Sequence, residues 1–164
     1  MKATQLLRKD HTEVKKLFAE FAKTTTRAFR KRQELIDTIA TELDVHAQIE
    51  EEIFYPAVRQ IAQGRELVDE AHEEHEEVKT LVADLQGMNA TDEAATAKCR
   101  ELREAVLHHA TEEEQEMFPL AEREFGAEEI MRLGHELQER KMELLKGALP
   151  RLKRALKKGA RKVA

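Results

Sequence analysis

Tryptophan is missing from this sequence, and tyrosine, cysteine and proline nearly so: Tyr55 and Cys99 stand alone, with three prolines in 164 residues. Aromatics make up only 4%, and no β-branched run bounded by turn residues occurs, so nothing here builds a sheet. A single cysteine rules out an internal disulfide framework and fits a reducing cytoplasm. No stretch approaches the roughly 20 apolar residues that a membrane span needs. The N-terminus turns charged at Arg8-Lys9-Asp10, too early for a secretory signal. A cytoplasmic protein without a membrane segment is the expectation. Ser/His/Asp nucleophile patterns, Gly-rich phosphate loops and organic-cofactor motifs are absent as well.

What remains is charge, at 37% of residues, carried on Ala, Glu, Leu, Lys and Arg, the composition of a helical protein. The length suits one domain with a real core. The net charge of −5 conceals an asymmetry. Residues 150–164 hold seven Lys/Arg and no acid, +7, which leaves 21 Lys/Arg against 33 acids, −12, on residues 1–149. The basic tail, RLKRALKKGARK, invites a nucleic-acid reading. It carries no aromatics and no DNA-reading motif, so a solvated or self-docked helix extension is favoured, with Leu145, Leu149, Leu152 and Leu156 as its stripe.

The apolar period is helical throughout. A first helix is expected over about 4–23, with Leu7, Val14, Leu17, Phe18 and Phe21 on one side, ended by Thr24-Thr25-Thr26. A second is expected over about 29–61, with Leu35, Ile36, Ile39, Leu43, Ile49 and Ile53 inward, kinked or ended at Pro56 and closed by Gly64. A third covers about 65–86, with Val68, Val78, Val82 and Leu85 inward. A fourth covers about 92–123, with Leu102, Val106 and Met117 inward, Pro119 near its end and Gly126 beyond. A fifth runs from near Ala127 to at least Leu149. Short connections between long amphipathic helices imply antiparallel neighbours. The fold class is therefore all-α: an up-down four-helix bundle over residues 1–126, with a C-terminal helix and basic tail over 127–164.

The sequence repeats itself. HTEVKKLF begins at His11 and HEEVKTLV at His75, 64 positions on. Later, HAQIEEEIFYPA begins at His46 and HATEEEQEMFPLA at His109. Each hairpin thus supplies one His on its first helix and His-x-x-x-Glu on its second, with Pro ten residues after the second His. At helical steps His11 falls with Leu7, Val14 and Phe18, and His75 with Val68, Val78 and Val82. His46 follows Ile39 and Leu43, and His109 follows Leu102 and Val106. Residues four apart share a helix face, so Glu50 and Glu113 turn inward with their histidines. Four imidazoles and two carboxylates inside a bundle are expensive unless a cation neutralises them. Each half offers two nitrogens and one oxygen, the donor set of two-His-one-carboxylate iron sites. Two halves give a dinuclear centre of His11, His46, Glu50, His75, His109 and Glu113.

This pattern resembles the hemerythrin-like, or HHE cation-binding, family over about residues 4–125, including the aromatic-Pro endings Phe54-Tyr55-Pro56 and Phe118-Pro119. The resemblance implies two iron ions in an oxo- or hydroxo-bridged centre that meets O2, NO or hydrogen peroxide, for sensing, binding or peroxide breakdown. A storage or sensing module without turnover is the alternative. The oxygen-carrying hemerythrins place His-x-x-x-His on the third helix, whereas His72 and His75 are three apart here, so simple oxygen carriage is not implied. A small ligand is the expected partner, since a pocket no larger than a diatomic or a peroxide is anticipated. Oligomeric state has no signal.

The other polar residues have plainer readings. His72 lies about 60° round the helix from His75, and an ordinary polar position is favoured over a partner of the site. His108 with Glu112 is one residue out of phase and is expected in solvent. His135 is expected to pack on the bundle. Glu51 and Glu114 lie about 140° from their histidines, toward a helix flank, where surface carboxylates are favoured over groups that bridge or orient the ligands. Asp10 and Glu74 are candidate acceptors behind the ligands. Tyr55 either donates toward the centre or is structural, the latter favoured.

Overall fold

The computed structural model describes residues 1–163; of residues 155, 156 and 158–163 only the backbone is described. The described residues are all helix and turn, with no strand. Six α-helices follow in order: α1 Ala3–Lys23, α2 Phe29–Ile49, α3 Tyr55–Val58, α4 Gly64–Gln86, α5 Glu93–Glu112 and α6 Phe118–Val163. Two π-helical turns, Glu50–Phe54 and Glu113–Met117, join α2 to α3 and α5 to α6.

The π-turns occupy the same place in both copies of the repeat, and proline explains them. Pro56 and Pro119 have no N–H, and their rings crowd the carbonyl four residues earlier. The chain widens instead, so that the Tyr55 N–H reaches the Glu50 carbonyl and the Phe118 N–H reaches that of Glu113. Such a turn takes up an extra residue and resets the phase of everything after it.

α1 packs on α2, α5 and α6, α2 on α4, and α4 on α5. α1, α2, α4 and α5 thereby close into a ring, and α6 lies along α1 and α2. α6 can do so because Gly126 interrupts it at φ 70°, ψ 173°, a conformation essentially reserved for glycine. Beyond that break Ile130, Leu133, Leu137 and Ala148 are buried.

Two apolar clusters divide the interior. One gathers Leu7, Ile49, Phe54, Val58, Val68, Phe118 and the buried face of α6. The other gathers Phe18, Phe21, Ile36, Ile39, Leu85, Leu102 and Val106. Each large side chain buried in this way contributes about 1.5–3 kcal/mol, enough in aggregate to hold a polar layer between the two.

Several sequence expectations are corrected. Gly64 does not close the second helix but begins α4, because a Cβ there would lie 1.9 Å from the Val58 carbonyl oxygen; close approach, not a left-handed cap, selects glycine. Leu81 is buried, while Val78 and Val82 are only half-buried and line a cavity. In α6 the inward stripe is Leu137, Leu144, Ala148 and Leu152, with Leu149 at 52% exposure. Leu156 lies outside the described side chains. His135 does not pack on the bundle: its side chain is 75% exposed, 3.3 Å from Glu139. No helix among the described residues is long and apolar enough to cross a membrane.

Candidate metal centre

The polar layer between the two clusters consists of the six residues that the repeat singles out. His11, His46, His75, His109, Glu50 and Glu113 are all buried. Their imidazoles converge through Nε2. The Nε2 atoms of His11 and His46 lie 3.1 Å apart, as do those of His75 and His109. Glu50 stands between the pairs, with Oε1 3.2 Å from His46 Nε2 and Oε2 3.2 Å from His75 Nε2. Glu113 Oε2 is 3.2 Å from His11 Nε2 and 3.5 Å from His109 Nε2.

The expectation of two equal, self-contained triads is therefore corrected. Each glutamate reaches across to the other hairpin, because the axis that relates the hairpins passes through this layer. The donors sort into His11, His46, Glu50 and Glu113 on one side and Glu50, His75 and His109 on the other.

Whether these residues suit a metal ion can be tested on the oxygens. Glu50 Oε1 and Glu113 Oε2 are buried without a hydrogen-bond partner. An unsatisfied buried carboxylate oxygen costs of order 1–3 kcal/mol or more. One such oxygen in each half, among four convergent imidazole nitrogens, makes a donor set suited to cations. The residues fit.

The remote ring nitrogens are held just as consistently. His11 Nδ1 donates to Glu114 at 2.8 Å, His46 Nδ1 to Asp10 at 3.3 Å, His75 Nδ1 to Glu51 at 2.8 Å and His109 Nδ1 to Glu74 at 2.6 Å. An ionised carboxylate only accepts, so the Nδ1 atoms carry the protons and the Nε2 atoms face the centre. This arrangement orients a ligand and raises its basicity. Asp10 and Glu74 act as anticipated. Glu51 and Glu114 are not mere flank carboxylates: each accepts from the first-helix histidine of the other hairpin, a neighbour that helical phase within one segment does not reveal.

The same contacts move the proton equilibria. Burial opposes the charged form of His46, but the Glu50 and Asp10 carboxylates outweigh it and raise its pKa well above the ordinary value. His109 goes up to about 9 against its burial, under Glu113 and Glu74. Glu50 is held well below the usual carboxylate range, burial being outweighed by His46 and His75. A metal ion must displace such protons to bind.

Tyr55 is the residue that sequence reasoning undervalued. Its hydroxyl lies 2.6 Å from Glu113 Oε1, 3.2 Å from Glu50 Oε2 and 3.1 Å from His75 Nε2. Burial and the two glutamates push its pKa up, so it stays a neutral donor to Glu113. In unbroken helical phase a residue nine after His46 points to the opposite side; the π-turn absorbs one residue and swings it back by roughly 100°. The matching prolines were the available signal. His72 stacks edge-on against Tyr55, ring centroids 5.4 Å apart, and offers nothing to the centre itself. His108 is 66% exposed, 3.1 Å from Glu112. Cys99 is buried in the other cluster, its thiol pushed up to about 11 by burial.

A cavity of about 430 Å³ reaches all four histidines. Val78, Val82, Ala47 and Leu43 line it, and Ala148, Arg151 and Leu152 of α6 border it. It is far larger than the diatomic-sized pocket anticipated, and Ala40 and Ala47 of α2 with Val78, Val82 and Ala83 of α4 are the small side chains in its wall.

Donor set, supporting carboxylates and helical frame define a cation-binding helical domain. Residues 2–121 match the Hemerythrin HHE cation binding domain, and the chain belongs to that family. Among solved structures it is similar to a hemerythrin HHE cation-binding-domain protein of Mycobacterium kansasii, at a TM-score of 0.83 and 24% identity over 97% of this chain and 99% of that one; this shows the shared fold. It is 29% identical over 119 residues to an uncharacterized protein of Mycobacterium tuberculosis (strain H37Rv), covering 73% of this chain and 71% of that one. It is 28% identical over 129 residues to a protein of Nostoc sp. (strain PCC 7120) called DNA nickase, covering 79% of this chain. The match spans only 36% of the Nostoc protein's length.

Proposed function

We propose that the protein is a non-heme di-iron protein whose centre binds or reacts with a small oxidant: O2, NO or hydrogen peroxide. One observation carries the reading: four imidazole Nε2 atoms and two carboxylate oxygens without hydrogen-bond partners meet in one buried layer. His11, His46, Glu50 and Glu113 would hold one ion, and Glu50, His75 and His109 the other. Ferrous iron supplies an electron-rich site that takes up small oxygen- or nitrogen-containing ligands.

The chain's own residues do the rest. Asp10, Glu51, Glu74 and Glu114 lock the four imidazoles by their Nδ1 protons. The two apolar clusters flank the layer, and the cavity that reaches the four histidines gives a ligand its way in. Tyr55 donates its hydroxyl proton to Glu113 and lies beside His75, which orients that carboxylate in the layer. Four imidazoles against two carboxylates make the centre less anionic than a carboxylate-rich one, which favours the reduced state and small-ligand binding.

The test is to load the protein with iron, count it, reduce it, and expose it separately to O2, NO and hydrogen peroxide while recording the visible spectrum and oxygen release. About two irons per chain and a spectral response to at least one ligand are expected. Sustained oxygen release from peroxide would assign a catalase-like role, and a reversible oxygenated band a binding or sensing role. No response to any of the three would replace this reading with a storage or sensing module. The Nostoc relative called DNA nickase shares only 36% of its length with this chain, and its name does not bear on this reading.

A further inference from the structure

A small oxidant at the centre leaves most of the cavity beside it unused. The cavity measures about 430 Å³, within the range of organic-ligand pockets, roughly 300–1,000 Å³. A diatomic or a peroxide fills on the order of one or two water volumes of roughly 30 Å³ each. The cavity is also long. On α2 its wall runs from His46 back to Asp37, nine residues and about 13 Å of helix. On α4 it runs from His75 to Gln86, eleven residues and about 16 Å.

The sequence builds this shape from helical spacing. Asp37, Ala40, Asp44 and Ala47 recur at steps of three and four, so they share one face of α2. His75, Val78, Val82 and Gln86 do the same on α4. All eight line the cavity. Its middle is therefore alanine and valine, and its two ends are polar in different ways. The four histidines stand at one end, and Asp37 and Gln86 at the other.

Asp37 is the group that nothing else in the fold satisfies. Its Oδ1 accepts from Gln33 Nε2 at 3.1 Å, whereas Oδ2 is buried with no hydrogen-bond partner. Burial pushes its pKa up, against the Gln33 hydrogen bond. A carboxylate so placed calls for a donor or a cation. The neighbouring charges favour a cation. Asp10 is neutralised by Lys141, and Lys79 is held by Glu51 and Glu76. Among the described residues that leaves Arg151 against Asp37, Glu42 and Asp44 around the cavity, a net negative wall.

We propose that the cavity binds a medium-chain primary amine, its alkyl chain along the walls of α2 and α4 and its ammonium on Asp37. The ammonium gives Oδ2 both a hydrogen and a positive charge. The chain removes the apolar wall of Ala40, Val78 and Val82 from water, and its far end is directed at the four histidines. A carboxylate of the same length meets Asp37, Glu42 and Asp44 with like charge and is rejected. An alcohol brings the hydrogen without the charge and falls between the two. The site consists of the protein's own side chains and requires no iron, so it stands apart from the di-iron reading.

The experiment is calorimetric titration of the full-length protein with octylamine, octan-1-ol, octanoate and methylamine, with the metal content of every sample counted. Octylamine is expected to bind once per chain and at least about tenfold tighter than octanoate, with octan-1-ol between them. Methylamine, which has no chain to bury, is expected not to bind. Asp37→Asn keeps the shape and is expected to weaken octylamine by about tenfold while leaving octan-1-ol and the metal content unchanged. Val82→Phe, which fills the cavity, is expected to lose all three long ligands. Octanoate binding as tightly as octylamine, Asp37→Asn leaving the amine unaffected, or no binding of octylamine overturns the proposal. If Val82→Phe fails to fold, the wild-type order and Asp37→Asn decide. Protein that takes up the amine but holds no metal would sink the di-iron reading alone, and protein with two irons but no amine binding would sink this one alone.

Discussion

Each hairpin presents the same three donors, with a carboxylate at the remote nitrogen of every imidazole, and the two differ in what lies beyond. The first, through α1 and α2, lies under α6, and Lys141 neutralises Asp10 there. The second, through α4 and α5, has solvent, His108 and Glu112 in the equivalent place. Tyr55 ends the first copy where Phe118 ends the second. The phenol lies 3.1 Å from His75 Nε2, whereas Phe118 stacks on His11 with centroids 5.8 Å apart. Arg8 lies over Phe118 at 5.2 Å, and its counterpart His72 meets Tyr55. A duplicated motif thus fixes the buried donors, while the unduplicated residues give the two donor groups different surroundings: one under α6 with Lys141 at Asp10, the other beside the Tyr55 hydroxyl.

The largest effect expected is from breaking the repeat itself. His46→Ala and His109→Ala each remove an imidazole beside a buried glutamate, and losing one partner of such a pair costs about 3–5 kcal/mol. Each variant should lose metal from its own half and melt well below wild type, as metal analysis and denaturant titration would show. His108→Ala, one residue away, should leave the inner pair of ions in place. Equal losses from His108→Ala and His109→Ala would mean that the helix phase is wrong.

The metal-free protein offers the next test. His109 is raised from 6.5 to about 9, so its folded state binds the proton more tightly than the unfolded chain does. That stabilisation is fully present below pH 6.5 and is lost as pH rises through about 9. Metal-free protein should therefore unfold more easily at pH 9.5 than at pH 6, and metal should abolish most of that difference.

Lys141→Met sharpens the contrast between the halves. It removes the cation behind Asp10 and should weaken metal binding at the His11/His46 side by about tenfold, the lower end for an outer partner of a ligand. The His75/His109 side should be unchanged in a two-site titration. Weakening at both sides would show that α6 acts on the whole bundle and not on its first half.

The smallest effect on the centre is expected from Gly126, where φ 70° strains any other residue and nothing lies within 4 Å of a Cβ. Gly126→Ala should cost about 1–3 kcal/mol of stability with no change in ligand-derived spectra. A change in the His11/His46 site as well would place the fold-back of α6 among the determinants of the centre.

The sequence by itself determined the class of fold, the helix pairs and the six donors, because a 3.6-residue period and a repeated His, His-x-x-x-Glu pattern are local regularities that survive without a partner. It also separated His109 from His108, since the proline ten residues on marks the register. Tertiary structure alone decided the rest. That Glu50 and Glu113 reach across the axis, that Glu51 and Glu114 serve histidines of the opposite hairpin, and that Lys141 meets Asp10 are contacts between residues distant in the chain, which no periodicity encodes. Tyr55 entered the centre because a π-turn reset its phase, and the cavity is walled by residues of α1, α2, α4, α5 and α6 that only packing brings together. Both depend on how the helices pack against one another, which is settled only when every element competes for the same core.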